Sequence, residues 1–515
     1  VKEYEYSYQK LKKAYEIKPG AVETLNNLGY FYARIPEDYY QARYASLVPP
    51  DKKEPTRDSR LDIAIRFYNH ALTREPSNIT ALYGIGNTYM YQGRYFEARQ
   101  YFENILKHDR DSVVGHSGLL NLFIERDSFQ EVATLHSRIK DRDILEDLEP
   151  ALLAKLAWYY LSKKRTDAVN IRVDYGAQAG RFRDLADNPY PVVRSVLGTL
   201  ADRHPEYPPL YVHKALLSRD TGNLKMMREY LELAAAKEPS YFGAHHLMGE
   251  YHLLVKEPVD AYREFKAALK AYQSPPDFTT SDFYKETESV ARTYGLMGNV
   301  FYYYFDKVRS RFRHSDELEE VVVDSELEKK ANDGIAQQYY EKAVAMGDKS
   351  SEVFYNLGRL YYVRGLHNKA LEMWLNLYDD FIARPELMIA LGNAFFRMNN
   401  LESSKGEYLR LISVLERETE EIQAPNPRKT EHLKLYHTLS SAYNNLGAIY
   451  QLQGNEVKSN LCYWRSIEYS KQLEKENEYA RVNMARSFRE RREAVMPLLD
   501  DEIPFSMDVY RADMR

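Results

Sequence analysis

At 515 residues the chain exceeds what one compact core supports, since single cores stop growing at about 250–300 residues. Its mean hydropathy of −0.60, with no run near the ~18 apolar residues of a membrane span, predicts a soluble chain with no direct span. A net charge of −5 and a pI of 6.3 argue against the basic face of a nucleic-acid binder, so no nucleic-acid partner is expected.

The spacing of apolar residues predicts helix pairs along the chain. Residues 1–19 read as the second helix of a pair, with Leu11, Ala14 and Pro19 in its late positions, so the chain is expected to have been cut from a longer one. First helices are predicted at 22–34, 79–91, 113–125, 150–162, 208–221, 242–254, 291–306, 351–364, 385–397 and 431–452. Their partners fall at 59–73, 95–107, 129–139, 191–203, 224–237, 259–271, 332–345, 368–381, 401–422 and 457–474. Gly93, Gly222, Gly365 and Gly454 follow first helices, where the chain turns through left-handed backbone. Pro19, Pro76, Pro205 and Pro239 close second helices, which they cannot continue.

Three pairs are split by extra residues, at 35–58, 163–189 and 307–330. Each doubling of a surface connection costs only about 0.6 kcal/mol, so the insertions map to one edge of the array. In the third, Arg309, Arg311, Arg313 and His314 run straight into Asp316, Glu317, Glu319 and Glu320, the pattern of a self-neutralising loop. Residues 487–495 predict a last short helix of mixed sign, and 501–515 a loose tail. The expected divisions are 1–21, 22–278, 279–484 and 485–515.

One phrase recurs on the first helices: TLNNLGYFY at 24–32, LYGIGNTY at 82–89, FYNLGRLY at 354–361 and YNNLGAIY at 443–450. A residue without a side chain between two large ones cuts a notch into a helix face, which describes a packing surface and not a reaction site. Twelve residues after Gly86 comes Ala98, then Phe102 and Ile105; Gly358 is followed by Ala370, Trp374 and Leu377, and Gly249 by Ala261, Phe265 and Ala268. The period is 34 residues, read from Gly358 to Gly392 and from Gly86 to Leu120, where Leu fills the notch. Residues 113–139 and 151–161 lack the glycine.

In these residues the chain resembles the tetratricopeptide repeat family, over most of its length. The resemblance implies an all-α, right-handed α-solenoid of about ten helix-turn-helix repeats with three edge insertions, each repeat covering its neighbours' apolar faces. It also implies that first helices line a concave groove, open at the positions flanking the Leu-Gly pair. Here those positions are Asn26, Asn27, Tyr30, Tyr83, Asn87, Asn299, Tyr355, Asn356, Arg359, Asn393, Asn444 and Asn445. An amide both donates and accepts, as a clamp on a peptide backbone must; at about 0.5–1.5 kcal/mol per bond, several have to act together. The alternative is that these amides bind one another or water along the inner helices.

A clamp for a C-terminal carboxylate needs basic groove positions, and these hold Glu23, Thr80, Glu352, Glu386 and Ser441, with Arg292 the exception. His245, His246, Glu250 and His252 invite a metal reading, but the register turns His245 and His252 toward the packing interior and His246 and Glu250 toward the groove, so they share no ion. No nucleophile accompanies them. Gly84-Ile85-Gly86 lies within a helix phrase, without the strand or GK[ST] of a phosphate loop. Cys462, the single cysteine, sits among Leu461, Tyr463 and Trp464 and reads as a small buried hydrophobe.

No catalytic, cofactor or metal site and no small-molecule substrate is therefore expected. The function expected is that of a non-enzymatic scaffold for protein partners, held in the groove and along the insertion-bearing edge, with some of the 45 tyrosines as anchors. Two alternatives stand beside it: a structural subunit of a large assembly, and a regulatory or recruiting module of a larger enzyme. Composition and architecture resemble bacterial envelope proteins, including those of the spirochaete periplasmic flagellar collar, which implies a periplasmic or envelope location over a cytoplasmic one.

Overall fold

The computed structural model describes residues 2–43, 45–52, 59–163, 188–273, 286–312, 328–378, 384–421, 430–471 and 478–489. All regular structure among them is helical. The chain divides into two compact units, Val1–Pro239 and Ser240–Arg515.

In the N-terminal unit α1 (Lys2–Ile17) packs on α2 (Val22–Arg34), and α3 (Glu37–Arg43) precedes α4 (Arg60–Arg74). The pairs α5 (Ile79–Tyr91) with α6 (Tyr95–His108), α7 (Val113–Glu125) with α8 (Phe129–Lys140), α9 (Pro150–Lys163) with α10 (Tyr190–Arg203), and α11 (Pro208–Asp220) with α12 (Leu224–Lys237) follow. In the C-terminal unit the pairs are α13 (Phe242–Leu254) with α14 (Pro258–Gln273), α15 (Glu286–Phe312) with α16 (Glu328–Ala345), α17 (Ser351–Val363) with α18 (His367–Leu375), α19 (Pro385–Arg397) with α20 (Leu401–Glu421), and α21 (Thr430–Leu452) with α22 (Glu456–Ser470). The last helix, α23 (Glu478–Arg489), packs on α22 and α21.

Local chemistry starts and stops these helices. Side chains of Asn78, Ser112, Asn223 and Asn455 accept from the backbone N–H of Ala81, Gly115, Met226 and Lys458, so each helix begins with a donor satisfied. The corner glycines have φ of 71° to 77° (Gly93, Gly222, Gly365, Gly454), and Asp127, Lys256 and Asn399 hold the same left-handed corner in repeats without one.

The notch locks each pair. A Cβ at Gly29, Gly86, Gly249, Gly298, Gly358 or Gly447 would come closer than 3.0 Å to the ring of Tyr68, Phe102, Phe265, Tyr340, Trp374 or Tyr463, and at Gly392 it would meet Tyr408 at 3.1 Å. Ring follows notch by sixteen residues wherever no insertion separates the two helices. The copies without glycine keep that register: Leu120 and Ala157 fill the notch of α7 and α9, both fully buried, as does Ala215 in α11.

Two elements depart from the sequence reading. The first insertion contributes α3 and buries Tyr39, Tyr40 and Leu47 against α1, α2 and α4. Tyr32 donates its hydroxyl to the Leu47 carbonyl at 3.1 Å, and Tyr8 donates to that of Val48. Most of the second insertion (164–187) and the middle of the third (313–327, with Arg313 and His314) lie outside the described residues. The last described helix spans Glu478–Arg489 and so starts earlier than the predicted 487–495, because its first buried residues, Ala480 and Asn483, do not register as an apolar period. Residues 490–495 lie outside the described residues. The 501–515 tail lies outside the described residues. Among the described residues no helix is long and apolar enough to cross a membrane.

Candidate protein-binding surface

In both units first helices lie beside first helices, as α2 does beside α5, α5 beside α7 and α17 beside α19. Counting from the notch residue as zero, positions −2 and +1 fall where two such helices meet. Asn121 at +1 in α7 and Lys155 at −2 in α9 show the geometry, with Lys155 Nζ donating to Asn121 Oδ1 at 2.6 Å and pairing with Glu125.

The C-terminal unit closes this junction with buried tyrosine. Tyr340, the ring behind Gly298, donates its hydroxyl to Asn299 Oδ1 at 2.6 Å, and Asn356 Nδ2 of the next first helix donates back to it at 3.2 Å. Asn356 also donates to the Tyr303 hydroxyl at 3.1 Å. The same bridge recurs behind Gly392: Tyr408 donates to Asn393 Oδ1, and Asn445 Nδ2 donates to Tyr408 at 3.1 Å. Asn444 and Asn483 extend it toward α23 at 3.3 and 3.0 Å. Burial holds the Tyr340 hydroxyl well above its ordinary pKa, so it remains a donor. Asn299, Asn356, Asn393, Asn444 and Asn445 are at most 3% exposed. Their amides are engaged within the chain.

Tyr408→Phe is accordingly expected to cost about 1–3 kcal/mol, the desolvation of amides left buried and unpaired. Asn445→Ala should fall in the same range, and the two losses should not add, since they break one bridge. Urea unfolding of the single and double variants measures this; additive losses would separate the two residues.

Of the remaining groove positions, Tyr355 is buried against Trp374, whose Nε1 donates to the Tyr355 carbonyl at 3.1 Å. Arg359 is half-buried. In the N-terminal unit Asn26 is buried and donates to Asn78 Oδ1 at 3.0 Å. Asn27 and Tyr30 are exposed, and Tyr83 and Asn87 half-exposed. Nothing in the list of groove positions pointed to Arg34 and Tyr91. Both stand five residues after the notch, at the equivalent position of α2 and α5, and Arg34 Nη1 donates to the Tyr91 hydroxyl at 3.3 Å. Its guanidinium carbon lies 5.7 Å from the Tyr30 ring centre. Tyr30 is 58% and Tyr91 54% exposed, so α2 and α5 present two aromatic rings joined by one arginine. Position +5 carried this signal in the sequence, through the recurrence of large side chains at Arg34, Tyr91, Val363 and Leu452.

His246 and Glu250 do not face open solvent: both are buried, and His246 Nδ1 pairs with Thr293 Oγ1 at 2.8 Å because α15 covers them. His245 turns to Glu264 of α14 at 2.7 Å, so the neighbouring histidines do point apart. The ligand atoms of His252, Glu257 and Asp260 lie within 4.8 Å of one another, in a geometry accounted for by the His252–Glu257 hydrogen bond at 2.8 Å and the Asp260–Arg263 pair at 3.2 Å. Burial raises the Cys462 thiol to about 11, which keeps it unreactive.

Residues 79–112, spanning α5 and α6, match the family model described as tetratricopeptide repeat. Notch, ring and corner recur in both units, so the fold is that of tetratricopeptide-like helix pairs beyond the matched repeat as well. No curated protein matches the chain. Among solved structures it is similar to the C-terminal part of a repeat protein from Cytophaga hutchinsonii, at 17% identity over 59% of this chain and 98% of that one with a TM-score of 0.35. A tetratricopeptide repeat protein from Parabacteroides merdae matches at 12% identity over 58% and 91%, TM-score 0.37. The human IFIT1 dimer with m7Gppp-AAAA matches at 15% identity over 91% and 94%, TM-score 0.42. The resemblance to flagellar collar proteins gains no support from these matches.

Proposed function

We propose that the chain is a non-enzymatic scaffold that binds polypeptide partners, and that the first-helix face of its N-terminal unit is the contact surface. One observation carries this reading: Tyr30 and Tyr91 are more than half exposed on adjoining helices, while the asparagines at +1 and −2 in the C-terminal unit are sealed by their own hydrogen bonds. Rings held in place at low entropic cost are the residues that anchor interfaces. A photo-crosslinking side chain at position 30 or 91, in the native host cell, is expected to capture protein partners that the same group at position 445 does not. Tyr30→Ala with Tyr91→Ala should reduce co-purification of those partners roughly tenfold, in keeping with two interface anchors. Equal capture at 445 would remove the assignment.

A second reading, a subunit of a larger assembly, rests on the outer helices of the C-terminal unit. The residue after the packed ring is Leu375, Leu409 and Trp464 in successive repeats, and these are 48%, 44% and 47% exposed. Repeat-matched apolar exposure of this kind marks a contact surface more than isolated residues do. Loss of co-purifying proteins on Leu409→Glu, with the 30 and 91 crosslinks intact, would favour it.

A further inference from the structure

We infer that the Tyr30–Arg34–Tyr91 surface takes acidic segments of its partner, holding a side-chain carboxylate on Arg34 and an adjoining apolar or aromatic residue on the rings. The inference rests on the scaffold reading above and names the chemistry of its ligand. Arg34 is exposed at the end of α2, and its guanidinium is fixed from two repeats at once, by the Tyr30 face at 5.7 Å and the Tyr91 hydroxyl at 3.3 Å. A planar guanidinium oriented in this way is preorganised for a bidentate carboxylate, and less entropy is lost per bond than with a flexible ammonium.

Arg60 holds Glu37 at 2.8 Å while donating to the Ala33 carbonyl at 2.7 Å, so the acid one turn beyond Arg34 is paired with another arginine. Gly84 at −2 carries no side chain where the C-terminal unit places an asparagine, so the bridge that seals Asn356 and Asn445 has no counterpart between α2 and α5. Tyr83, half-exposed on the same helix, widens the aromatic surface beside Arg34.

The test uses the full chain as bait for a random peptide library displayed at the amino end of a phage coat protein, which offers no free C-terminal carboxylate. Peptides with Asp or Glu next to Tyr, Phe, Trp or Leu are expected to enrich. A labelled enriched peptide should bind roughly tenfold more weakly to Arg34→Gln, and more weakly as salt rises, the behaviour of an exposed charge-assisted contact. Should Arg34→Gln lose helix content, Tyr91→Phe is read in its place, since it removes only the hydroxyl that orients the guanidinium; weaker binding is again expected. Enrichment of neutral or basic peptides, or an affinity unchanged in both variants, overturns the acidic assignment and leaves the scaffold reading standing. Enrichment of nothing above bare support overturns both.

Discussion

Gly358→Leu is expected to destabilise the C-terminal unit by about 1–3 kcal/mol through overpacking, and by about a further 0.5–1.5 kcal/mol if the Trp374 hydrogen bond is lost. A single added carbon at Gly358 already comes closer than 3.0 Å to the Trp374 ring. That ring cannot withdraw freely. Its Nε1 is bonded to the Tyr355 carbonyl at 3.1 Å, and Tyr355 and Tyr362 pack on it with ring centres 6.2 and 5.8 Å away. Leucine adds three more carbons to the clash, so α17 and α18 must separate. Gly406 supplies the control: it lies within α20 with nothing inside 4 Å of its Cβ position. There Gly→Ala should stabilise by about 0.5–1 kcal/mol, the ordinary helix preference. Opposite shifts in urea midpoint for the two glycines are the expected result; a Gly358→Leu midpoint equal to wild type would contradict the packing described.

Acidification is expected to weaken the N-terminal unit first. His136 occupies the ring position sixteen residues after Leu120, paired with the Tyr160 hydroxyl at 3.1 Å, and His213 occupies the −2 position of α11 with Nδ1 donating to the Pro209 carbonyl at 2.6 Å. Burial lowers both to about 4, with Lys140 adding to the effect at His136. Each is neutral in the folded chain, whereas the unfolded chain takes up a proton near pH 6.5. Their stabilising contribution is therefore full above about 6.5 and falls as pH drops from there to about 4, where it levels off. At 1.36 kcal/mol per unit the loss is of order 3 kcal/mol per histidine. Glu352 has the opposite sign, since burial raises its pKa and lower pH relieves that cost in the C-terminal unit. Hydrogen exchange at pH 7 and pH 5 should show protection falling in α7 to α12 more than in α17 to α21. His136→Gln with His213→Gln should flatten the difference, and equal loss in both units would refute the assignment.

The helix pairs were legible in the sequence because notch, ring and corner are each set by one residue type at a fixed offset. Val22–Arg34, Ile79–Tyr91, Val113–Glu125, Phe242–Leu254 and Pro385–Arg397 fall on their predicted bounds for that reason. Exposure of the groove positions was not legible in the same way, because it depends on what the neighbouring repeat places across the junction. Asn87 and Asn393 stand at the same offset, yet Asn393 meets the Tyr408 hydroxyl while Asn87 follows a notch packed by Phe102, which has none. A tyrosine behind the notch together with asparagines at +1 and at the next −2 would have predicted the buried bridge. The helix in the first insertion escaped notice because Tyr39 and Tyr40 are adjacent and carry no helical period.

Sixteen residues separate glycine and ring in five pairs, while Gly29 reaches Tyr68 and Gly298 reaches Tyr340 across 39 and 42, in the same close contact. Helix docking thus leaves the covalent path between partners unconstrained. Grafting foreign segments into that hinge, or excising native ones, is a natural way to reprogramme this architecture without disturbing its framework.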